Sequence, residues 1–478
     1  MVVNDAGSGK PAPYTCDMRI GGRAPAYAAG IIAMAGLTVG SVLYPVIGLS
    51  AVGVLLGGLA FLVLPKEHVA GVTGPIALGI LVLVPVQNIS SYGSLKYVAL
   101  AIVGSLALAT LARRHSSFSG RSLSLWLFVA YFAVVALATP RSLEPSSWNL
   151  YEGALISGLG TAVIFAVMNS VERRRSLNVV VTLAALEAAY SLYELLAKSR
   201  PLWGYANVDA TSGDPSLMYN QLDTALVRSQ GTFGHPLPLA LFLLVGLALV
   251  IRGAGPRNRL VRILVTGLLF AGCFAAGSRS ALAVAVILVF MGIGKNRWKG
   301  LAVGSVLLII GSLIAVNSGL LESAAFQRFV TSDSLSHRSG ALDAVPGLLA
   351  NQNITATLFG NGYFSAYQLF RAGLLQTGNF FAVDNQMVMT LVEGGVLGLS
   401  VLVVLVLLAL KRIETSARLG LLSVIVFFFS FDVLSWPSGI ALFGAFIGLA
   451  FSSRSNPAAD PELPDQPQGK NLVLVSRS

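Results

Sequence analysis

Long apolar runs alternate with short polar connections along most of the chain. Many of these runs approach the ~20 residues that an α-helix needs to cross a bilayer, whereas membrane β-strands would give alternating segments of about ten residues. We therefore predict an all-α polytopic membrane protein with about 12–14 transmembrane helices. The predicted spans are Ala24–Val42, Pro45–Leu64, Val69–Val86, Leu95–Leu111, Leu123–Ala138, Leu150–Met168, Leu177–Leu196, Pro236–Ile251, Leu260–Ala276, Ser278–Ile293, Leu301–Val316, Met387–Leu410, Leu419–Val433 and Pro437–Phe451.

Two long polar stretches, 197–235 and 317–384, interrupt this transmembrane domain of residues 24–452. Within the second stretch, Gly340–Leu349 is apolar enough to form a short helix lying on the membrane, and Gly360-Asn361-Gly362 predicts a turn. Both stretches are expected to be extracytoplasmic loops.

The two termini are polar. Residues 1–23 lead into the first apolar run without a clear cleavage site, so we expect no removable signal peptide. Residues 453–478 contain several prolines and are predicted to be a disordered tail.

Composition and charge support the membrane assignment. Only 11% of the residues are charged and 55% are hydrophobic, against about 25% charged in soluble domains. Most of the 32 Lys and Arg residues fall in alternate connections, as expected when basic residues concentrate on the cytoplasmic side. This pattern predicts an even number of spans with both termini in the cytoplasm. The net charge of +11 is dispersed over many loops, which argues against a nucleic-acid partner.

Two arginines on the predicted outer face are candidate anion ligands. Arg279 lies in an almost loop-less turn between two spans, and Arg228 precedes the helix that begins at Pro236. Planar guanidinium groups suit a diphosphate because each offers two hydrogen bonds in a fork. The alternatives are a headgroup-anchoring role for Arg279 and a solvated loop position for Arg228.

The polar stretch before the span at Met387 contains further ionisable residues. It holds Arg328, His337, Arg338 and Arg371, and it ends in Asp384-Asn385. Asp384 is either the N-cap of the following helix or a carboxylate placed to accept a proton from a sugar hydroxyl.

Three of the acidic residues inside apolar runs are further candidates. Glu393, in Glu393-Gly394-Gly395, is either a buried structural carboxylate or a functional one. Glu187 and Glu194 share one helix face with Tyr190 between them, and they form either a proton relay or a pair satisfied by tyrosines or arginines.

Other kinds of chemistry find no support in the sequence. We find no spacing of His, Cys or Glu typical of a metal site, and no phosphate-binding glycine loop. His235 and His337 are more typical of loop residues than of catalysts. Cys16 in the polar tail and Cys273 in an apolar run are not expected to form a disulfide.

Four motifs together give a resemblance to a known family. Their order resembles that of the O-antigen ligase and O-antigen polymerase superfamily: Arg228 to Pro236, Gly277 to Ser280, Arg338 followed by Gly360-Asn361-Gly362, and Asp384-Asn385 leading into 391–398. The resemblance implies a GT-C-like membrane glycosyltransferase of the bacterial cytoplasmic membrane. Such an enzyme moves a glycan from undecaprenyl pyrophosphate to a glycan or lipid-glycan acceptor without a metal or other cofactor, and attack opposite the pyrophosphate inverts the anomeric centre.

The resemblance also implies roles for individual residues. Arg228, Arg279 and Arg338 would bind the donor pyrophosphate, and Asp384 and Arg279 would be catalytic. Supporting roles would fall to Asn385, Glu393 and His235. In lipopolysaccharide ligases the pair at 384–385 reads His-Asn, so the aspartate in this chain favours the polymerase branch.

Two other functions remain open. A transporter or flippase of lipid-linked glycans would use Glu187 and Glu194 in a cavity, but the related halves common in transporters are not visible in this sequence. A non-enzymatic scaffold of envelope assembly would not need Arg279 at a constrained turn.

Overall fold

The computed structural model describes residues 55–84, 93–114, 123–204, 217–220, 225–292, 340–375 and 382–452. Over these ranges the chain is mostly helical, and the one pairing of extended backbone is an antiparallel bridge between Tyr219 and Val227. The predicted spans Ala24–Val42 and Leu301–Val316 and the terminal segments 1–23 and 453–478 lie outside the described residues.

The helices are separated by short connections and by 3-10 turns at Thr139–Arg141, Gly231–Phe233 and Val433–Ser435. In chain order the helices are α1 (55–63), α2 (Val69–Leu83), α3 (Gly93–Arg114), α4 (Leu123–Ala138), α5 (Ser147–Ala166), α6 (Ser170–Ala197), α7 (Pro236–Ile251), α8 (Arg259–Ala275), α9 (Arg279–Gly292), α10 (Val345–Ala350), α11 (Ile354–Phe359), α12 (Ala366–Arg371), α13 (Gln386–Arg412), α14 (Thr415–Phe427) and α15 (Pro437–Ser452).

Each predicted span overlaps a helix wherever its residues are described. Among these residues, five helices are long and apolar enough to cross a membrane, namely α3, α4, α5, α6 and α13. The predicted helix at Gly340–Leu349 is also present, since residues 340–343 are helical and α10 follows them. The glycine turn at 360–362 separates α11 from α12, as expected.

One difference concerns the end of α14. The prediction extended this span to Val433, which is wrong, because α14 ends at Phe427. The carbonyl of Phe428 accepts a hydrogen bond from the backbone N–H of Gln386 (2.7 Å), and the N–H of Leu434 donates to the side chain of Gln386 (2.6 Å). These contacts hold residues 428–436 as a connection, and apolar composition alone does not show them.

Helix α7 lies at the centre of the described bundle. It is apolar on all sides and almost entirely buried, and it packs against α6, α8, α9 and α14. An α-helix without a polar face is expected in such a position. His235 directly precedes α7, so it lies at one end of the bundle core.

Helices α5 and α15 approach each other closely through small residues. A Cβ atom at Gly444 or Gly448 would overlap backbone carbonyls of α5, and the hydroxyl of Thr161 donates to the carbonyl of Ala441 (3.0 Å). Small residues allow helices in membranes to pack at short range in this way.

The connections form two groups by their contacts with one another. Predicted inner connections contact one another through Arg114–Glu172 (3.0 Å), Arg173–Glu414 and Arg252 Nε to the Thr415 carbonyl (2.9 Å). Predicted outer connections contact one another through Ser229 N–H to the Ala275 carbonyl (3.0 Å) and Arg141 Nη1 to the Gly360 carbonyl (3.1 Å). The four motifs of the sequence analysis, as far as they are described, belong to the second group.

Candidate functional site

Two carboxylates of α6 hold the segment that carries Arg228. Glu194 accepts hydrogen bonds from the backbone N–H groups of Gln230 (3.1 Å) and Gly231 (2.9 Å). Glu187 accepts from the backbone N–H of Thr232 (3.1 Å) and from its hydroxyl (2.7 Å). Both carboxylates are buried, so these hydrogen bonds compensate for their removal from water. Their partners are therefore mainly backbone amides of a loop, rather than the tyrosines or arginines expected from the sequence.

Arg228 lies against the turn that joins α8 to α9. The Nε of Arg228 donates to the carbonyl of Ala276 (2.9 Å). The backbone N–H of the next residue, Ser229, donates to the carbonyl of Ala275, so two hydrogen bonds join these segments. Gly277 in this turn has φ +64°, and a Cβ atom there would lie 2.9 Å from Cγ of Arg228. Only glycine fits both the backbone conformation and the packed arginine side chain.

Arg279 is the first residue of α9, directly after this turn. It is partly buried, while Arg228 is 9% exposed. The structure thus brings the two candidate arginines to the same turn, with the Arg228 side chain bound three residues before Arg279.

His235 caps α7 as a neutral imidazole. Its Nδ1 accepts a hydrogen bond from the backbone N–H of Leu237 (3.2 Å), so the ring proton is assigned to Nε2. Burial, and secondly the positive charge of Arg228, lower the pKa of His235 to about 3. His235 is therefore a fixed hydrogen-bond donor through Nε2 at neutral pH.

The connection between α14 and α15 links His235 to a pair of carboxylates. The rings of His235 and Trp436 are 4.9 Å apart, and Trp436 Nε1 donates to Oδ1 of Asp432 (3.3 Å). Burial, followed by the negative charge of Asp384, raises the pKa of Asp432 to about 7. The charge of Asp384 therefore acts on Asp432, and Trp436 contacts both Asp432 and His235.

Asp384 and Asn385 have different structural positions. The side chain of Asn385 accepts from the backbone N–H groups of Met387 (2.9 Å) and Val388 (3.2 Å), so Asn385 is the N-cap of α13. The interpretation of Asp384 as the cap is wrong. Asp384 is one residue outside the cap and partly buried next to Asp432.

The Gly360–Gly362 turn packs into a break in α13. The backbone N–H groups of Asn361 and Gly362 donate to the carbonyls of Val392 (2.8 Å) and Glu393 (3.1 Å). These carbonyls are accessible because α13 is kinked at Gly395, which has φ +62°. A Cβ atom at Gly395 would lie 2.5 Å from the backbone N of Gly360, so this close approach requires glycine.

Glu393 orders the residues that follow this turn. It is 1% exposed, and its Oε1 accepts from the backbone N–H of Phe364 (2.9 Å). Burial, and next the charge of Glu393, raise the pKa of Tyr363 well above its ordinary value, so the phenol remains protonated. Glu393 thus binds the backbone of the loop that follows the Gly360–Gly362 turn.

A cavity of about 260 Å³ adjoins the arginine side of the site. Its lining includes Arg228, Lys198, Glu194 and Tyr219. Lys198 adds a second positive charge near Arg228, at the end of α6, where its backbone is left-handed (φ +49°). This arrangement leaves room for a ligand beside Arg228.

The remaining candidates fall into two groups. Arg328, His337 and Arg338 lie outside the described residues, so the role of Arg338 in pyrophosphate binding stays a prediction. Arg371 is exposed and contacts Tyr367 of its own helix, donating to the phenol oxygen (2.9 Å). Within the described part of the chain, no group of His, Cys, Asp or Glu residues has the arrangement of a metal site.

Sequence reasoning missed Asp432, Trp436 and Lys198. Asp432 was assigned to a predicted span and Trp436 to the short connection after it. The available signal was the cluster of polar side chains at this position, Asp432 followed by Ser435 and Trp436. Lys198 gave no signal, because its nearness to Arg228 depends on the fold of the loop that separates them.

No protein-family model and no curated protein sequence matches this chain. The resemblance to the O-antigen ligase and polymerase superfamily therefore depends on the motifs alone.

Proposed function

We propose that the protein transfers a glycan from an undecaprenyl-pyrophosphate carrier to an acceptor glycan on the extracytoplasmic face of the bacterial cytoplasmic membrane. The observation that carries this proposal is the position of Arg228, whose side chain is bound to the turn that leads into Arg279. Arg228 and Arg279 thus belong to the same turn although they come from different segments of the chain, and a pair of guanidinium groups is suited to a diphosphate.

Arg228 and Arg279 bind the pyrophosphate of the donor, together with Arg338 from the long loop. Pyrophosphate is already a good leaving group, so catalysis mainly requires stabilisation of the negative charge that develops on it. Arginines in a site shielded from water supply this stabilisation without a metal ion. The neutral His235 contributes a hydrogen-bond donor from the loop that also carries Arg228.

Asp384 accepts the proton of the acceptor hydroxyl. Since Asn385 caps α13, the carboxylate of Asp384 is not needed for the helix N-terminus. Attack from the side opposite the pyrophosphate inverts the anomeric centre. The aspartate in place of the histidine of lipopolysaccharide ligases favours polymerisation, in which the acceptor is a second lipid-linked glycan.

The flippase alternative is less well supported. It requires Glu187 and Glu194 as exchangeable proton carriers, and both carboxylates hold backbone amides of the Arg228 loop. Releasing them would release the loop. Their hydrogen bonds thus favour a fixed outer site over a moving cavity.

Replacement of Arg228 or Arg279 by lysine tests the proposal. Lysine keeps the charge but loses the planar fork, so we expect at least about a 100-fold loss of glycan transfer with normal membrane insertion. The assay is polymer formation in cells that lack the native protein and express each variant. Arg371→Lys is the matched control, because Arg371 is an exposed arginine outside the site.

The lipid-linked glycan that accumulates distinguishes the two functions. Loss of an outer transferase leaves this glycan on the outer leaflet, where an impermeant oxidant can reach it in intact spheroplasts. Loss of a flippase leaves it on the inner leaflet. Normal polymer formation in both lysine variants would refute the pyrophosphate site.

A further inference from the structure

The opposite end of the bundle contains a second cavity, of about 350 Å³, between three connections that are predicted to be cytoplasmic. It is formed by the start of α6, the segment after α7 and the start of α14. Its charged lining comprises Arg173, Arg174, Arg252 and Glu414, so the positive charges exceed the negative ones.

Arg173 is the least exposed of these charges. It is 7% exposed, and it forms an ion pair with Glu414, which is 43% exposed. Its Nε has no hydrogen-bond partner among the described residues. A buried guanidinium group with one solvent-facing carboxylate is incompletely compensated, and an added anion would complete it.

The other groups are placed to bind the same anion. Arg252 is held at the cavity by the hydrogen bond from its Nε to the carbonyl of Thr415 (2.9 Å). Ser170 and Ser416 also line the cavity, and they lie in the first turns of α6 and α14. The N-terminal ends of these two helices add positive potential.

We infer that this cavity binds a phosphate group through Arg173, Arg174 and Arg252, at the end of the bundle opposite the proposed transferase site. Arginine is suited to phosphate because its fork matches two oxygens. The phosphate belongs either to the headgroup of an anionic phospholipid or to a free phosphorylated compound. Basic pockets between helices on the cytoplasmic side are known to accept lipid headgroups.

Binding to the purified full-length protein tests this inference. In detergent, inorganic phosphate is titrated and the rise in the thermal unfolding temperature is recorded. In lipid nanodiscs, the unfolding temperature is compared between phosphatidylcholine alone and phosphatidylcholine with phosphatidylglycerol. A response to phosphatidylglycerol alone identifies a lipid headgroup, whereas a response to inorganic phosphate identifies a free phosphate ligand.

Three variants locate the response. Arg174→Gln removes an exposed lining charge, and we expect about ten-fold weaker binding. Glu414→Gln removes the competing carboxylate, so binding should become tighter, an effect that damage to the fold does not produce. Arg175→Gln is the control, because Arg175 is an exposed neighbour that does not line the cavity. No response to either ligand, or equal responses in all three variants, would overturn the inference.

Discussion

Asp384 and Asn385 are adjacent residues with separable roles. Asn385 satisfies two backbone N–H groups of the first turn of α13, while Asp384 lies next to Asp432. The sequence predicts a capping residue at this pair, and its assignment to Asp384 was wrong because Asp and Asn are both common N-caps. The structure separates the cap from the candidate base, and each can be changed alone.

We predict that Asp384→Asn abolishes glycan transfer without lowering stability. The amide cannot accept a proton, the cap at Asn385 is untouched, and the repulsion between the Asp384 and Asp432 carboxylates is removed, so the free energy of unfolding should not fall. Polymer formation in cells and thermal unfolding of the purified variant are the two measurements.

The neighbouring position provides the control. Asn385→Ala should lower stability by about 1 kcal/mol, and Asn385→Ser should restore most of it because serine also caps helices. Wild-type turnover in Asp384→Asn would show that Asp384 is not the base.

At the level of the elements, helix α6 holds the loop from Arg228 to His235 in its conformation through hydrogen bonds. Glu187 and Glu194 are on one helix face, as their spacing predicts, and that face binds the loop. The hydrogen-bond partners of these carboxylates could not be predicted from the sequence. Backbone amides have no sequence signature, and the loop begins at Arg228 whereas α6 already ends at Ala197. The same applies to Glu393, which binds the backbone of Phe364.

We predict that Glu194→Ala loosens this loop. The N–H groups of Gln230 and Gly231 would lose their acceptor in a buried position, at a cost of about 1–3 kcal/mol each. Limited proteolysis should cut the loop faster, and glycan transfer should fall because Arg228 loses its fixed position.

The control for this change is Glu152→Ala. Glu152 is an exposed acidic residue on α5, so neither proteolysis of the loop nor transfer should change. Wild-type proteolysis and activity in Glu194→Ala would mean that the carboxylate does not position the loop.

For the whole molecule, the positions of the helices could be predicted because length and apolar composition determine them. The beginning of α7 at Pro236 and the extent of α4 match the prediction, and both follow from local sequence. The packing of the Gly360–Gly362 turn into the break at Gly395 could not be predicted from the sequence, because it depends on a close approach between the backbones of distant segments. One further prediction concerns the whole molecule, namely which of the two groups of connections faces the cytoplasm.

We predict that the end carrying Arg228, Asp384 and Arg371 faces the outside and the end carrying Arg175 faces the cytoplasm, because basic connections are retained inside. In a Cys16→Ser background, an impermeant maleimide should label Arg371→Cys in intact spheroplasts. It should label Arg175→Cys only after permeabilisation. The native Cys273 is buried in α8 and should not react. The reverse pattern would place the arginine pair in the cytoplasm and exclude an extracytoplasmic donor site.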